Sequence, residues 1–260
     1  MTTTNDWTVR VQAKIAQVLA EEDFIVPETQ FSSITEPNAT FALAIDHTLL
    51  KPDATQEQIA SLCDQAIMNK FKSCCVNGAN VSQVAERLQG SGVLTCAVIG
   101  FPLGAGTSAS KAFEAADAVK CGAQEIDMVI NIGALKAGQY ESVFNDIFAV
   151  VVSANVPVKV IIETVFLTDQ EKVAACFIAA EAGAAFVKTC TGFSGGGASK
   201  EDVLLMRKSV AYKANVKVKA SAGIRSFDKC LEMFAAGAER IGTSSGAAIM
   251  QSVEASSATY

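Results

Sequence analysis

From about residue 41 the chain settles into a strict alternation. Short runs rich in β-branched and apolar residues are followed by longer stretches whose apolar positions recur at helical spacing. The strand-like runs fall at 41–46, 72–77, 94–100, 125–131, 157–163, 185–190, 216–220 and 239–243. The helix-like stretches fall at 55–70, 79–90, 108–121, 138–153, 168–183, 199–213, 226–236 and 245–253. Such alternation predicts parallel strands joined by crossover helices. Eight strand–helix units in a chain of 260 residues predict a single-domain α/β fold, the closed (β/α)8 TIM barrel, rather than an open sheet. No glycine fingerprint for a dinucleotide follows the first strand, which argues the same way.

Turns between units carry the expected punctuation. Cys121-Gly122-Ala123, Ala182-Gly183-Ala184 and Ala236-Gly237-Ala238 each place a glycine where a helix must stop before a strand. Residues 8–24 have helical spacing and no evident chemistry. The expected organisation is therefore an N-terminal helical extension over 1–40, packed on a barrel over 41–260 that ends in a small, polar, mobile tail.

Composition narrows the function. Half of the residues are hydrophobic, which supplies a large core, yet charges or turn residues interrupt every apolar run short of the roughly 18 needed to span a bilayer. Neither a membrane association nor a secretory leader is expected, and the setting predicted is cytoplasmic. The net charge of −6 is spread along the chain, and Lys and Arg form no stripe, so no nucleic-acid partner is expected. The eight cysteines show no CxxC spacing and mostly lie in apolar surroundings, as reduced, buried thiols do. His47 is the single histidine, which speaks against a Ser-His-Asp triad and against a histidine-rich metal site. No metal or cofactor is expected.

In a barrel of this kind the active site lies at the C-terminal ends of the strands. Polar residues expected there are Asp46 and His47, Asn77, Asp127 and Asn131, Glu163, Lys188 and Thr189, Lys219, and the run from Gly242 to Ser245. Lys188 sits in Ala-Ala-Phe-Val-Lys-Thr-Cys, a run otherwise fit for a buried strand. Burial disfavours an ammonium ion, and a neutral amine attacks carbonyls to form imines. The competing reading is a lysine that snorkels from a strand end to solvent. Lys219, on the next strand, would bring a second cation near Lys188; Lys217 shares its parity and would lie a layer lower. Asp127, between Ile126 and Met128, must be paired or functional, and a general acid/base role and a structural ion pair are both compatible with it. Glycine-rich turns after strands 6, 7 and 8 (Thr191-Gly192-Phe193-Ser194-Gly195, Ala222-Gly223-Ile224-Arg225, Gly242-Thr243-Ser244-Ser245) suggest a phosphate cradle of backbone N–H groups.

Six segments, in order, carry a resemblance. Ile45-Asp46-His47-Thr48-Leu49-Leu50-Lys51-Pro52, Glu125-Ile126-Asp127-Met128-Val129-Ile130-Asn131, Val160-Ile161-Ile162-Glu163-Thr164, Phe186-Val187-Lys188-Thr189, Val218-Lys219-Ala220-Ser221 and Ile241-Gly242-Thr243-Ser244-Ser245 resemble the deoxyribose-phosphate aldolase family over about residues 41–250. The resemblance implies reversible cleavage of 2-deoxy-D-ribose 5-phosphate to acetaldehyde and D-glyceraldehyde 3-phosphate without a metal. It implies the imine at Lys188, control of its protonation by Lys219, and proton relay by Asp127. Substrate contacts would come from Asp46, Thr189, Gly192, Gly223, Arg225, Gly242, Ser244 and Ser245. Some members end in a tyrosine that assists proton transfer, which makes Tyr260 a candidate relay. Two departures stand out: Ala222-Gly223 where the family usually has Gly-Gly, and Asn77-Gly78 where it often has Asn-Pro. A small phosphorylated sugar is the expected partner, and a homodimer is left open. An aldolase for a ketose phosphate, a barrel that binds phosphometabolites without catalysis, and a metal-dependent aldolase are the alternatives.

Overall fold

Strand periodicity sorts the side chains of the barrel into two sets, one facing the helices and one facing the axis. The computed structural model describes residues 6–252. It begins with helices α1 (Trp7–Ala20) and α2 (Ala39–Ala42), then β1 (Ile45–Leu49), α3 (Gln56–Asn69), β2 (Ser73–Val76) and α4 (Val81–Leu88). Next come β3 (Leu94–Ile99), α5 (Ser108–Lys120), β4 (Glu125–Val129), α6 (Ile132–Lys136), α7 (Tyr140–Ala154) and β5 (Val158–Ile161). The chain closes with α8 (Asp169–Glu181), β6 (Phe186–Lys188), α9 (Lys200–Val210), β7 (Lys217–Ser221), α10 (Phe227–Ala235), β8 (Arg240–Thr243) and α11 (Gly246–Met250). The strands pair in parallel in chain order, and β8 closes on β1, as the alternation predicts.

The alternate residues Ile126, Met128, Val158, Val160, Val187, Val218, Ala220 and Ile241 belong to the apolar layer between strands and helices. Their neighbours in sequence face the axis, and there the filling is unusual. Such interiors are commonly packed with branched aliphatics. Here only a small apolar cluster of Leu50, Cys75, Cys96 and Val98 separates from the main core. Around it the axis carries buried charge alongside Val129, Ile161 and Phe186.

Local signals set the helix starts. Thr55 with Gln58 and Thr168 with Glu171 form reciprocal capping boxes at α3 and α8. One sequence expectation fails at the first strand. Asn38 accepts the Phe41 N–H at 3.0 Å and caps the turn α2, so Phe41-Ala42 ends a helix and the strand starts only at Ile45. A short apolar run does not reveal its period, and a cap three residues upstream decides it. Asp46 consequently enters at the start of β1, not its end. His47 turns outward, where its Nε2 lies 2.8 Å from Gln65 of α3.

The N-terminal segment has a packing role. In α8 every residue from Val173 to Ala180 is buried, so no face of that helix is left for water. α1 covers it with Val11, Ile15 and Val18. Trp7 lies 4.6 Å from the Phe144 ring, Arg10 sits 4.4 Å over the Trp7 ring, and Arg10 pairs with Glu181. Phe31 stacks on Phe234 of α10 at 5.3 Å. Among the described residues no helix is long and apolar enough to cross a membrane. The tail expected to be mobile, with Tyr260, lies outside the described residues.

If α1 is part of the core, truncating its two faces should have unequal effects. Val11→Ala, at a fully buried site, is expected to cost about 1–3 kcal/mol of unfolding free energy, whereas Val9→Ala, at a site 62% exposed, should stay within about 0.5 kcal/mol. Denaturant titration of both variants checks this; equal small effects would mean that the extension is not part of the cooperative unit.

Candidate active site

Seven ionisable side chains from six strands meet inside the barrel: Asp46 of β1, Glu125 and Asp127 of β4, Lys159 of β5, Lys188 of β6, Lys219 of β7 and Arg240 of β8. All are buried. Such burial is tolerated only when each charge is paired and hydrogen-bonded. Asp127 is the hub. Its Oδ2 accepts from Lys188 Nζ at 2.7 Å and from Lys219 Nζ at 2.7 Å, and its Oδ1 accepts from Lys159 Nζ at 2.8 Å. Asp46 also holds Lys219, at 2.5 Å, and accepts from Ser73 Oγ at 2.6 Å and Arg240 at 2.7 Å. Arg240 reaches both oxygens of Glu125, at 2.9 and 3.2 Å, while Lys159 Nζ lies 2.7 Å from Glu125.

The electrostatics follow from these distances. Burial alone would raise the Asp127 pKa, but Lys159, Lys188 and Lys219 outweigh it and hold the carboxyl well below the usual range. Burial and then Arg240, Lys219 and Lys159 act in the same opposed way on Asp46, with the same downward result. Burial would lower the Lys219 pKa, yet Asp127 and Asp46 raise it well above that of a free lysine, and Lys159 is raised likewise by Asp127 and its neighbours. Lys219 and Lys159 are therefore fixed ammonium ions.

Lys188 differs from both. It is the last residue of β6, is 3% exposed where Lys159 and Lys219 are fully buried, and has Asp127 as its one carboxylate partner among the described residues. Strand register aligns Lys188 with Lys219 and with Ile161. Lys159 thus lies two residues lower on β5, about 6.6 Å beneath that level. Lys217, whose parity matches that of Lys219, falls at the foot of β7, pairs with Glu239 at 3.1 Å and keeps 44% of its side chain exposed.

The loops above β6, β7 and β8 are stitched together by hydrogen bonds to backbone carbonyls. Ala198 N–H donates to Ala222 C=O at 2.9 Å, and the Thr243 hydroxyl donates to Ile224 C=O at 2.7 Å. Gly192 and Gly223 both have positive φ, and Gly223, Arg225, Ser244 and Ser245 lie at this rim with solvent access. The Thr189 hydroxyl donates to Ser221 C=O at 2.8 Å and accepts from Ser221 N–H at 2.9 Å, so it latches β6 to β7. Gly242 sits where a Cβ would come within 2.2 Å of Ser221 Oγ and 3.0 Å of Lys219 Cε, so a side chain there would displace the serine hydroxyl and crowd Lys219. Ala222 holds φ at 76°, a conformation glycine adopts more easily, at the position where the sequence departs from Gly-Gly. Glu163, expected among the polar strand ends, binds the Thr191 N–H at 3.0 Å and hydroxyl at 2.5 Å and so braces the loop after β6.

Sequence reasoning passed over Lys159, Glu125, Arg240 and Ser221. Lys159 carried the signal used for Lys188, a lone lysine in Pro-Val-Lys-Val-Ile-Ile, but stood mid-strand rather than at the end where candidates were sought. The buried Ser221 hydroxyl has no partner among the described residues. Cys75, Cys96 and Asp127 also come close enough to suggest a metal site. Lys159 Nζ lies 3.3 Å from Cys96 Sγ and 2.8 Å from Asp127, so an ammonium already supplies the positive charge there.

The comparisons with known proteins give the class of this barrel, an aldolase. The family described as DeoC/LacD family aldolase matches residues 40–252, and the chain belongs to that family of aldolases. A protein from Staphylococcus haemolyticus named deoxyribose-phosphate aldolase is 57% identical over 218 residues, covering 84% of this chain and 98% of the relative. One from Clostridium tetani with the same name is 58% identical over 209 residues, covering 80% and 96%. Among solved structures, the tetrameric deoxyribose phosphate aldolase of Aeropyrum pernix matches at a TM-score of 0.79 and 30% identity over 92% of this chain and 97% of that one. A chain from Coccidioides immitis matches at 0.87 and 38% identity, covering 96% and 98%.

The pKa directions fix a pH profile for stability. Asp46 and Asp127 are depressed on folding, so their contribution is present above the unfolded value of 3.8 and lost as pH falls below it. Lys159 and Lys219 are raised, so theirs is present below 10.5 and lost as pH climbs past it. His47, whose pKa burial lowers, adds a smaller loss as pH falls below 6.5. Buried thiols such as Cys176 and Cys230, whose pKa burial raises, add a loss as pH climbs past about 8.5, where the unfolded thiol ionises. Unfolding free energy measured against pH should therefore be level from about 7 to 8 and fall at both ends. A steep loss between about 7 and 8 would contradict the pairing.

Proposed function

We propose that this aldolase cleaves 2-deoxy-D-ribose 5-phosphate reversibly to acetaldehyde and D-glyceraldehyde 3-phosphate, through an imine on Lys188. The observation that carries the assignment of the nucleophile is the contrast among three lysines that share Asp127. Lys159 and Lys219 are each held by two or more carboxylates, while Lys188, at the end of β6, is held by one. The relatives named deoxyribose-phosphate aldolase support the choice of substrate.

The chemistry follows from the charges. The neutral Lys188 amine adds to the C1 aldehyde, and loss of water leaves a protonated imine, which serves as an electron sink. Removal of the proton from the C3 hydroxyl breaks the C2–C3 bond; its electrons form the enamine and the departing carbon becomes the aldehyde of D-glyceraldehyde 3-phosphate. Asp127, held ionised, takes this proton only in passing, through a water, and returns it when the enamine is protonated at carbon. Hydrolysis of the resulting imine frees acetaldehyde and Lys188. Lys219, a fixed ammonium 2.7 Å from the same Asp127 oxygen, keeps that oxygen oriented and opposes a second positive charge beside it. The glycine turns and Ser244, Ser245 and Arg225 at the rim would hold the phosphate and so align C1 with Lys188, a large catalytic contribution in itself. No metal or cofactor enters this scheme, and Tyr260 keeps its place as a candidate relay. The homodimer left open by the sequence would use surface such as Phe148 and Val152, exposed one turn apart on α7. A cytoplasmic setting suits the eight unpaired cysteines.

Lys188→Leu keeps bulk and removes the amine. It is expected to abolish acetaldehyde release from 2-deoxy-D-ribose 5-phosphate in a coupled alcohol dehydrogenase assay while leaving the fold intact by circular dichroism. Full activity in that variant would overturn the assignment; activity on a ketose phosphate without acetaldehyde release would replace the substrate.

A further inference from the structure

The seven charges in the barrel do not balance. Three carboxylates, Asp46, Glu125 and Asp127, face four cations, Lys159, Lys188, Lys219 and Arg240. All seven are buried, and an unpaired charge in such a place is relieved by shedding a proton. Arg240 cannot shed one. Lys159 touches all three carboxylates, with Nζ 2.7 Å from Glu125, 2.8 Å from Asp127 and 3.7 Å from Asp46, and Lys219 touches two. Lys188 touches one and is the most exposed of the three lysines.

We propose that Arg240, at the foot of β8 and remote from the reacting carbons, is the positioning charge that keeps Lys188 neutral, with Glu125 as its counterweight. This rests on the imine reading above. Arg240 is well placed for the task. It is held by both Glu125 oxygens and by one Asp46 oxygen, its guanidinium lies 5.1 Å from the centre of the Phe186 ring, and it shares both carboxylates with the lysine ammonium ions. Register places Lys188 beside Lys219 and Lys219 beside Arg240. Two strand spacings, about 10 Å, separate Arg240 from Lys188. At an effective dielectric near 20, a unit charge at that distance moves a titration by about one pH unit.

The other groups facing the cluster come from the remaining strands. Ser73 and Cys75 lie on β2 and Cys96 on β3. The Cys96 thiol donates to Asp127 at 3.2 Å, and burial pushes its pKa well above that of a free thiol. The neighbouring Cys96 thiol draws Cys75 below the usual thiol value. Below Arg240, Lys72, Lys217 and Glu239 line a cavity of about 180 Å³ open to solvent.

The test is a set of pH profiles of kcat/KM for acetaldehyde formation, each accompanied by borohydride trapping to locate the adduct. The acid limb of the wild-type profile is the reference. Arg240→Met removes one positive charge, and its limb is expected about one unit higher in pH, with activity recovering at alkaline pH. Glu125→Gln removes one negative charge and should move the limb the opposite way. The double variant restores the excess of one and should bring the limb back toward the wild-type position, and Arg240→Lys should keep it there. The same order is expected in a Cys75→Ala background, which removes the thiol whose pKa lies below the usual value. A purely structural role would lower activity in every single variant without opposite shifts and without recovery in the double. Should Arg240→Met fail to fold, the Glu125→Gln, Arg240→Lys and double variants still decide the sign. Limbs that do not move, with the adduct still on Lys188, would overturn this proposal alone. A wild-type adduct on another lysine would overturn the imine reading with it.

Discussion

Everything in this barrel depends on one carboxylate that three lysines share. Asp127 projects from the middle of β4 to the axis, where Lys159, Lys188 and Lys219 all lie within 2.8 Å of its oxygens. A carboxylate buried there would be neutral without them, and the lysines would be unaffordable without it. The strand period puts these residues inside and the aliphatic residues outside, so the same alternation that builds the apolar shell also concentrates charge at the axis. The stability of the barrel and the reactivity proposed for Lys188 thus share a source.

The rest of the fold holds this cluster dry and in register. Closure of β8 on β1 brings Arg240 and Asp46 into contact although 194 positions separate them in the chain. The helices seal the strands from outside, and α1 seals α8 in turn. Hydrogen bonds through Ala198, Ala222, Ile224 and Thr243 fix the rim over β6, β7 and β8, where the proposal puts the phosphate.

Much of this was legible from local pattern. The eight alternating units define the barrel, and Lys188, Lys219 and Asp127 stand out as charges in runs that should be apolar. The six motifs led to the family that the comparisons bear out. What sequence could not reveal was pairing. Glu125 and Arg240 sit at strand entries, where polar residues are ordinary, and only barrel closure shows that they face each other. Asp46 misled for a different reason: the cap at Asn38 converts the preceding apolar run into a helical turn and shifts the strand along the chain. The Thr189 hydroxyl is also engaged with the Ser221 backbone, a bond between strands that no local window displays.

The central claim is that one of three lysines around Asp127 is the nucleophile. Reduction with borohydride in the presence of 2-deoxy-D-ribose 5-phosphate, followed by peptide mass mapping, tests it most directly. The account predicts a stable two-carbon or sugar-phosphate adduct on the peptide that contains Lys188 and none on those that contain Lys159 or Lys219. An adduct on Lys219 or Lys159, or no adduct from active, folded protein, would contradict it.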